Sequence, residues 1–131
     1  MEVHPHLQQK DFNAWLKSKG IHIMQSDPPG DLNDVDGQPG WSKDISRMMR
    51  IADQPLLREL MKKYGKSSAQ IFLAWVVNQG RSVISNSTID WQIKEVVEAD
   101  FTLDPEDLDA MAELDVKASF YNPKLGYRQR L

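Results

Sequence analysis

The chain has 131 residues, 40% of them apolar and 27% charged, which are the proportions of an ordinary globular domain. Its formal net charge of -3 provides no basic field for nucleic acid, and the absence of cysteine excludes disulfides and thiolate metal ligands. The longest apolar run, Ile71 to Val77, is too short to cross a membrane, and the first residues show no secretory signal pattern. We therefore expect one cytoplasmic domain over residues 1–131, with no nucleic-acid or membrane partner.

The first third of the chain predicts a helix, a short strand and a long loop. Residues 7–19 carry apolar residues at helical spacing and end at Gly20, a typical C-terminal glycine. The β-branched run at 21–25 predicts a strand that ends in a Pro/Gly turn. Residues 26–43, rich in Asp, Gly and Pro, predict a long loop. Within that loop Trp41 is a candidate for ligand contact, whereas Trp15, Trp75 and Trp91 fit apolar helix faces and are expected in a core or an interface.

The rest of the chain predicts four more helices and one more strand. Gln54-Pro55 opens a helix that ends at Tyr64-Gly65, and Ser67 or Ser68 can cap the next helix, which runs to Gly80. A short strand follows at 81–85, then a helix around 91–97 and a last helix from about 104. The tail at 116–131 has no clear periodicity.

The order of these elements favours an α/β fold. A strand, helices, a second strand and another helix are typical of a parallel sheet, since parallel neighbours need a crossover connection. We predict a helix-rich domain with two short parallel strands.

Several motifs resemble one enzyme family. The strongest is KKYGKSSAQ at 62–70 followed by LAW at 73–75, which resembles the K-K-H-G-K-T-P-A-Q-V-x-L-x-W run of the aldo-keto reductases. EVHPHLQQ at 2–9 resembles the segment after the sixth barrel strand of that family, and SDPPG at 26–30 resembles the end of its seventh strand. ISNS at 84–87 and QIKE at 92–95 resemble its I-P-K-S and R-I-x-E-N segments.

The resemblance implies a partial, half TIM-type β/α barrel, the C-terminal part of an NADP(H)-dependent carbonyl reductase. In the family, hydride transfer uses an Asp, a Tyr, a Lys and a His on the first four strands, and this sequence has no counterpart of that half. The resemblance therefore implies no autonomous carbonyl reduction by this chain.

The resemblance also identifies degenerate cofactor positions. Ser26 stands where the family has an aromatic residue that stacks on nicotinamide, and Asn86 and Gln92 stand where it has the Lys and Arg of the adenosine-phosphate clamp. Ser87 and Glu95 keep the family identity. We expect no bound cofactor, or NADP(H) if any family binding is retained.

Five residues are candidates for acid/base chemistry, and they are His4, His6, His22, Asp27 and Tyr121. The histidines could also suggest a metal site, but their spacing gives no convergence, so histidines of a loop or of the barrel wall are expected and no metal. Tyr121 could instead pack the tail onto the body of the domain.

Two strands cannot close a barrel, so the apolar helix faces should need a cover. The residues expected on those faces are Leu56, Leu60, Ile71, Phe72, Trp75, Ile93 and Val97. We predict association with a second copy, as a homodimer or higher oligomer, or with another partial barrel.

Three functions stay open at this point. The chain could be a binding or interaction protein that takes a small-molecule ligand in an oligomer, or a non-redox isomerase, cyclase or lyase acting on a small carbonyl metabolite. It could also be an inactive truncated oxidoreductase. The sequence alone does not decide whether it is an enzyme.

Overall fold

The computed structural model describes residues 1–26, 54–84 and 90–117. In these ranges it contains α1 (Lys10–Ser18), β1 (Met24–Ser26), α2 (Pro55–Tyr64), α3 (Ser68–Asn78), β2 (Ser82–Ile84), α4 (Asp90–Val97) and α5 (Pro105–Ala112). The elements follow the predicted order. Apart from Ser26, the predicted loop at 26–43 lies outside the described residues, and so does the predicted tail after Lys117.

Local signals set the ends of α2 and α3. Pro55 occupies the first turn of α2, where its fixed φ and missing N–H are tolerated, and Gly65 ends that helix with a left-handed φ of 63°. Ser67 caps α3 through a capping box: the Gln70 N–H donates to Ser67 Oγ at 3.2 Å, and the Ser67 N–H donates to Gln70 Oε1 at 3.1 Å. Three residues join the two helices, which pack on each other.

The two strands form one parallel sheet, in which Met24 pairs with Ser82, Gln25 with Val83 and Ser26 with Ile84. Side chains alternate between the faces of a strand. Ile23 and Gln25 are buried on the face where Val83 packs against the helical core, whereas Met24 and Ile84 are about half exposed. One face of the sheet is thus covered by helices, and we call the other the open face.

The core is centred on α3, most of whose residues are buried. Side chains from the N-terminal segment, α2, the approach to α5 and α5 itself pack around it, and these are Val3, Leu57, Leu60, Leu103 and Met111. Burial of large aliphatic and aromatic side chains of this kind is the main stabilising contribution to a small domain. No helix within the described ranges is long and apolar enough to span a bilayer.

Two elements begin later than the sequence predicts. Helix α1 starts at Lys10 rather than at Leu7, because the backbones of His4 and Leu7 bond to each other in a tight turn and Gln9 then takes a left-handed φ of 49°. Strand β1 starts at Met24 rather than at Ile21, because the Ile21 N–H still donates to Leu16 O at 3.0 Å in the last turn of α1.

The apolar helix faces are covered differently from the prediction. Four of these side chains are buried within this chain, and they are Leu60, Ile71, Phe72 and Trp75. Helices α2 and α3 therefore cover each other's apolar faces and need no partner chain to cover them. Ile93 and Val97 on α4 are exposed, as predicted. Further exposed large apolar side chains lie on α1, on the open face, on α4 and at the end of α3, and they include Phe12, Trp15, Met24, Ile84, Trp91 and Val77.

Candidate functional site

The carboxyl ends of β1 and β2 meet at one edge of the sheet, because the strands are parallel and Ser26 pairs with Ile84. In β/α barrels, ligand sites lie at this edge, on the segments that follow the strands. The segments that follow here contain Asp27, Asn86 and Ser87, and they lie outside the described residues, as does Tyr121.

Helix α4 brings two of the predicted cofactor positions together. Gln92 and Glu95 are three residues apart, which places them on one helix face, and both are partly buried. The backbone O of Glu95 accepts a hydrogen bond from Gln70 Nε2 at 3.2 Å, which ties this part of α4 to the start of α3. The face therefore carries an uncharged amide and a carboxylate.

His4 and His6 form a second polar cluster, close to the N-terminus and inside the fold. Their exposed fractions are 0% and 3%, and their rings meet edge to face with centroids 6.4 Å apart. His4 Nε2 lies 3.3 Å from Glu2 Oε1, and His6 Nε2 lies 3.2 Å from Gln54 Nε2. Burial, and then the nearby His4, lower the pKa of His6 below 6.5. Such burial favours a structural role over direct contact with a substrate.

His22 lies apart from these two along the sheet. It precedes β1, is exposed, and its Nε2 lies 2.7 Å from Oγ of Ser82, the first residue of β2. It therefore occupies the amino-terminal edge of the sheet, opposite the edge where ligands bind in barrels. Within the described ranges, no three His, Asp or Glu side chains are arranged to hold a metal ion.

Four buried polar residues escaped the sequence analysis, and they are Gln8, Gln25, Gln70 and Arg81. Gln8 Nε2 donates to Met111 O at 2.8 Å and to Pro5 O at 2.9 Å, which fixes the N-terminal segment against α5. Gln25 could have been noticed from its spacing, because it follows the apolar Ile23 by two residues and so shares its face. No local pattern in the sequence predicts the burial of Gln8 or Arg81.

Known proteins give the same architecture. No protein-family model matches the chain. Methylglyoxal reductase DkgA of Escherichia coli strain K12 is 32% identical over 116 residues, which cover 88% of this chain and 37% of the reductase. A crystal structure of an aldo/keto reductase from Brucella melitensis matches with a TM-score of 0.68 at 30% identity, over 87% of this chain and 37% of that one.

A mutant of Gox0644, crystallised in complex with NADPH, matches with a TM-score of 0.70 over 88% of this chain and 36% of that one. Its identity of 21% shows a common fold alone. This chain thus spans little more than a third of the length of the proteins it matches. It is therefore related to the aldo-keto reductases, and its fold matches a part of their β/α barrel.

Proposed function

We propose that this chain is a non-catalytic part of an aldo-keto-reductase-type barrel, which binds a small molecule within an assembly and does not reduce carbonyls with NADPH by itself. The observation that carries the proposal is the sheet. Its two three-residue strands have an open face, whereas the barrel of the relatives closes with eight strands. A reaction centre whose residues come from several strands of a closed barrel is poorly supported by the two strands that the described residues form.

The cofactor positions support weak binding of NADP(H). A 2′-phosphate is recognised best by cations, and the α4 face offers Gln92 beside the carboxylate of Glu95. Losing two charge-assisted hydrogen bonds of about 1.5 to 3 kcal/mol each weakens binding at least about a hundredfold. Binding of a ligand without a 2′-phosphate is affected less.

The exposed apolar residues support an assembly as the working form. Met24 and Ile84 lie on the open face, and each strand has one edge without a strand neighbour in the described part of the chain. Unpaired edges and apolar faces are both reduced when another chain adds strands. A second copy is the simplest partner, because one symmetric contact would cover the same face of both copies.

The proposal is tested by measuring NADPH oxidation by the purified protein with methylglyoxal, the substrate named for the bacterial relative. We expect the rate of a control without protein. Turnover above that control, in protein freed of host reductases, would contradict the proposal.

A clamp-restoring variant tests the cofactor argument separately. The double substitution Asn86→Lys and Gln92→Arg returns the two cations, so it should lower the Kd for NADPH at least about a hundredfold in calorimetry. NADH is the matched control ligand, since it lacks the 2′-phosphate and its Kd should stay unchanged. A submicromolar Kd of the unmodified protein for NADPH would overturn this account.

A further inference from the structure

Arg81 is a buried cation with no acidic partner among the described residues. Its exposed fraction is 5%, and its guanidinium carbon lies 4.7 Å from the centre of the Trp75 ring. Within residues 1–26, 54–84 and 90–117, neither Nη1 nor Nη2 has a hydrogen-bond partner. A cation–π contact with Trp75 does not use the N–H groups of the guanidinium as hydrogen-bond donors, so they stay available. Burial lowers the pKa of Arg81 to about 10, and the group is still charged at neutral pH.

Gln25 lies on the same face of the sheet. It pairs with Val83, and Arg81 precedes Val83 by two residues, so both side chains point towards the helices. Strand spacing separates the two Cα atoms by about 8 Å, a distance that two long side chains can bridge. Gln25 is fully buried, and neither polar atom of its side-chain amide has a hydrogen-bond partner in the part of the chain that the structure describes.

Burial of Arg81 and Gln25 is unfavourable unless their charge and hydrogen-bonding groups have partners. A buried charge needs an opposite charge, and a buried amide needs hydrogen bonds. Arg81 is the only buried side chain with a permanent charge in the described ranges. A single negative charge would therefore neutralise this region, whereas a dianion would leave a new buried charge.

The geometry points to Gln25 and Arg81 as a binding site for a small monocarboxylate anion. Two parallel N–H groups of a guanidinium fit the two oxygens of one carboxylate, and the Gln25 amide can donate a third hydrogen bond. Because both residues are buried, the ligand must be of the size of formate or acetate. Arg81 directly precedes β2 and Gln25 is the middle residue of β1, and the inference does not depend on the proposed function.

The test is urea unfolding of the full chain at constant ionic strength, with acetate compared with the bulky trimethylacetate. Above the Kd, each tenfold rise in acetate should raise the ratio of folded to unfolded protein about tenfold. Trimethylacetate should have no such effect. Equal effects of the two anions, or none, would overturn the inference.

Variants locate the site. Arg81→Met keeps a long side chain without the charge, and the stability of this variant should not depend on acetate. Lys19→Met is the control, because it removes an exposed cation and should behave like the unmodified protein. Gln25→Met should bind acetate more weakly. Should Arg81→Met fail to fold, the Nε–H resonance of Arg81 in the unmodified protein must still shift saturably with acetate, and a resonance that does not shift contradicts the site.

Discussion

The ring of His6 is held in its neutral form by what surrounds it. The Gln54 amide nitrogen, 3.2 Å from His6 Nε2, can only donate a hydrogen bond, so Nε2 accepts and the ring proton is on Nδ1. Protonation of the ring would break this bond and bury a charge. The unfolded chain, in which the pKa is near 6.5, therefore takes up the proton more readily than the folded protein.

This difference gives a pH dependence with a definite sign. The contribution of His6 to the free energy of unfolding is complete above pH 6.5 and is lost as the pH falls towards its lowered folded pKa. We expect urea midpoints to decrease from pH 7.5 to pH 5.5, and less steeply in His6→Gln. Identical slopes in the unmodified protein and in His6→Gln would refute the assignment.

The three histidines were equivalent candidates in the sequence, and only tertiary contacts distinguish them. His4 and His6 are buried by a segment that Gln8 anchors to Met111, 103 residues further along the chain. Contacts of that range leave no local pattern. Arg81 was missed for the same reason, since an arginine after a helix-ending glycine is typical of an exposed turn.

The sequence predicted the ends of helices well where a residue of the chain marks the start or the end of the helix. Pro55, Gly65 and Pro105 fixed the ends of α2 and α5, and each acts within a few residues of itself. Strand β1 begins later than predicted because β-branched residues continue into the turn before it, whereas β2 lies within its predicted range. Helical periodicity placed Trp15 and Trp75 alike on apolar faces, yet only Trp75 is buried, since periodicity does not say what covers a face.

The capping box of α3 decides between two serines that the sequence left equivalent. Ser67 accepts from the Gln70 N–H, whereas Ser68 is the first residue of the helix. Ser67→Ala should lower the free energy of unfolding by about 1 kcal/mol, measured by urea titration. Ser68→Ala is the matched control and should change it by less than about 0.5 kcal/mol. The reverse order would show that Ser68 is the cap.

At the scale of the whole molecule, the open face and α4 leave apolar surface exposed. Val97 is 73% exposed and Trp91 59% exposed on α4, and Met24 and Ile84 of the sheet are about half exposed. Surfaces of this kind usually belong to an interface. The sequence predicted that some apolar surface would stay exposed, but it assigned much of that surface to α2 and α3, because it could not show that these two helices cover each other.

We therefore expect self-association through the open face, measured by sedimentation equilibrium over a range of low protein concentrations. Ile84→Lys places a charge on that face and should shift the protein towards monomer without unfolding it, since Ile84 is about half exposed. Lys62→Glu, on the exposed side of α2, is the control and should leave the mass unchanged. A compact monomer at all concentrations would exclude this interface.

Phe72→Asp should instead unfold the chain, because Phe72 is buried within it.

The three-residue connection between α2 and α3 also bears on how the chain folds. Leu57 and Leu60 meet Ile71 and Trp75 across a short stretch of sequence, so closing this contact requires little loss of chain entropy. Pairing of β1 with β2 instead joins residues 58 apart, Met24 with Ser82, and must come at a larger entropic loss. The helical hairpin should therefore form early and the strands should dock late, so that a core exists before either strand has found its neighbour.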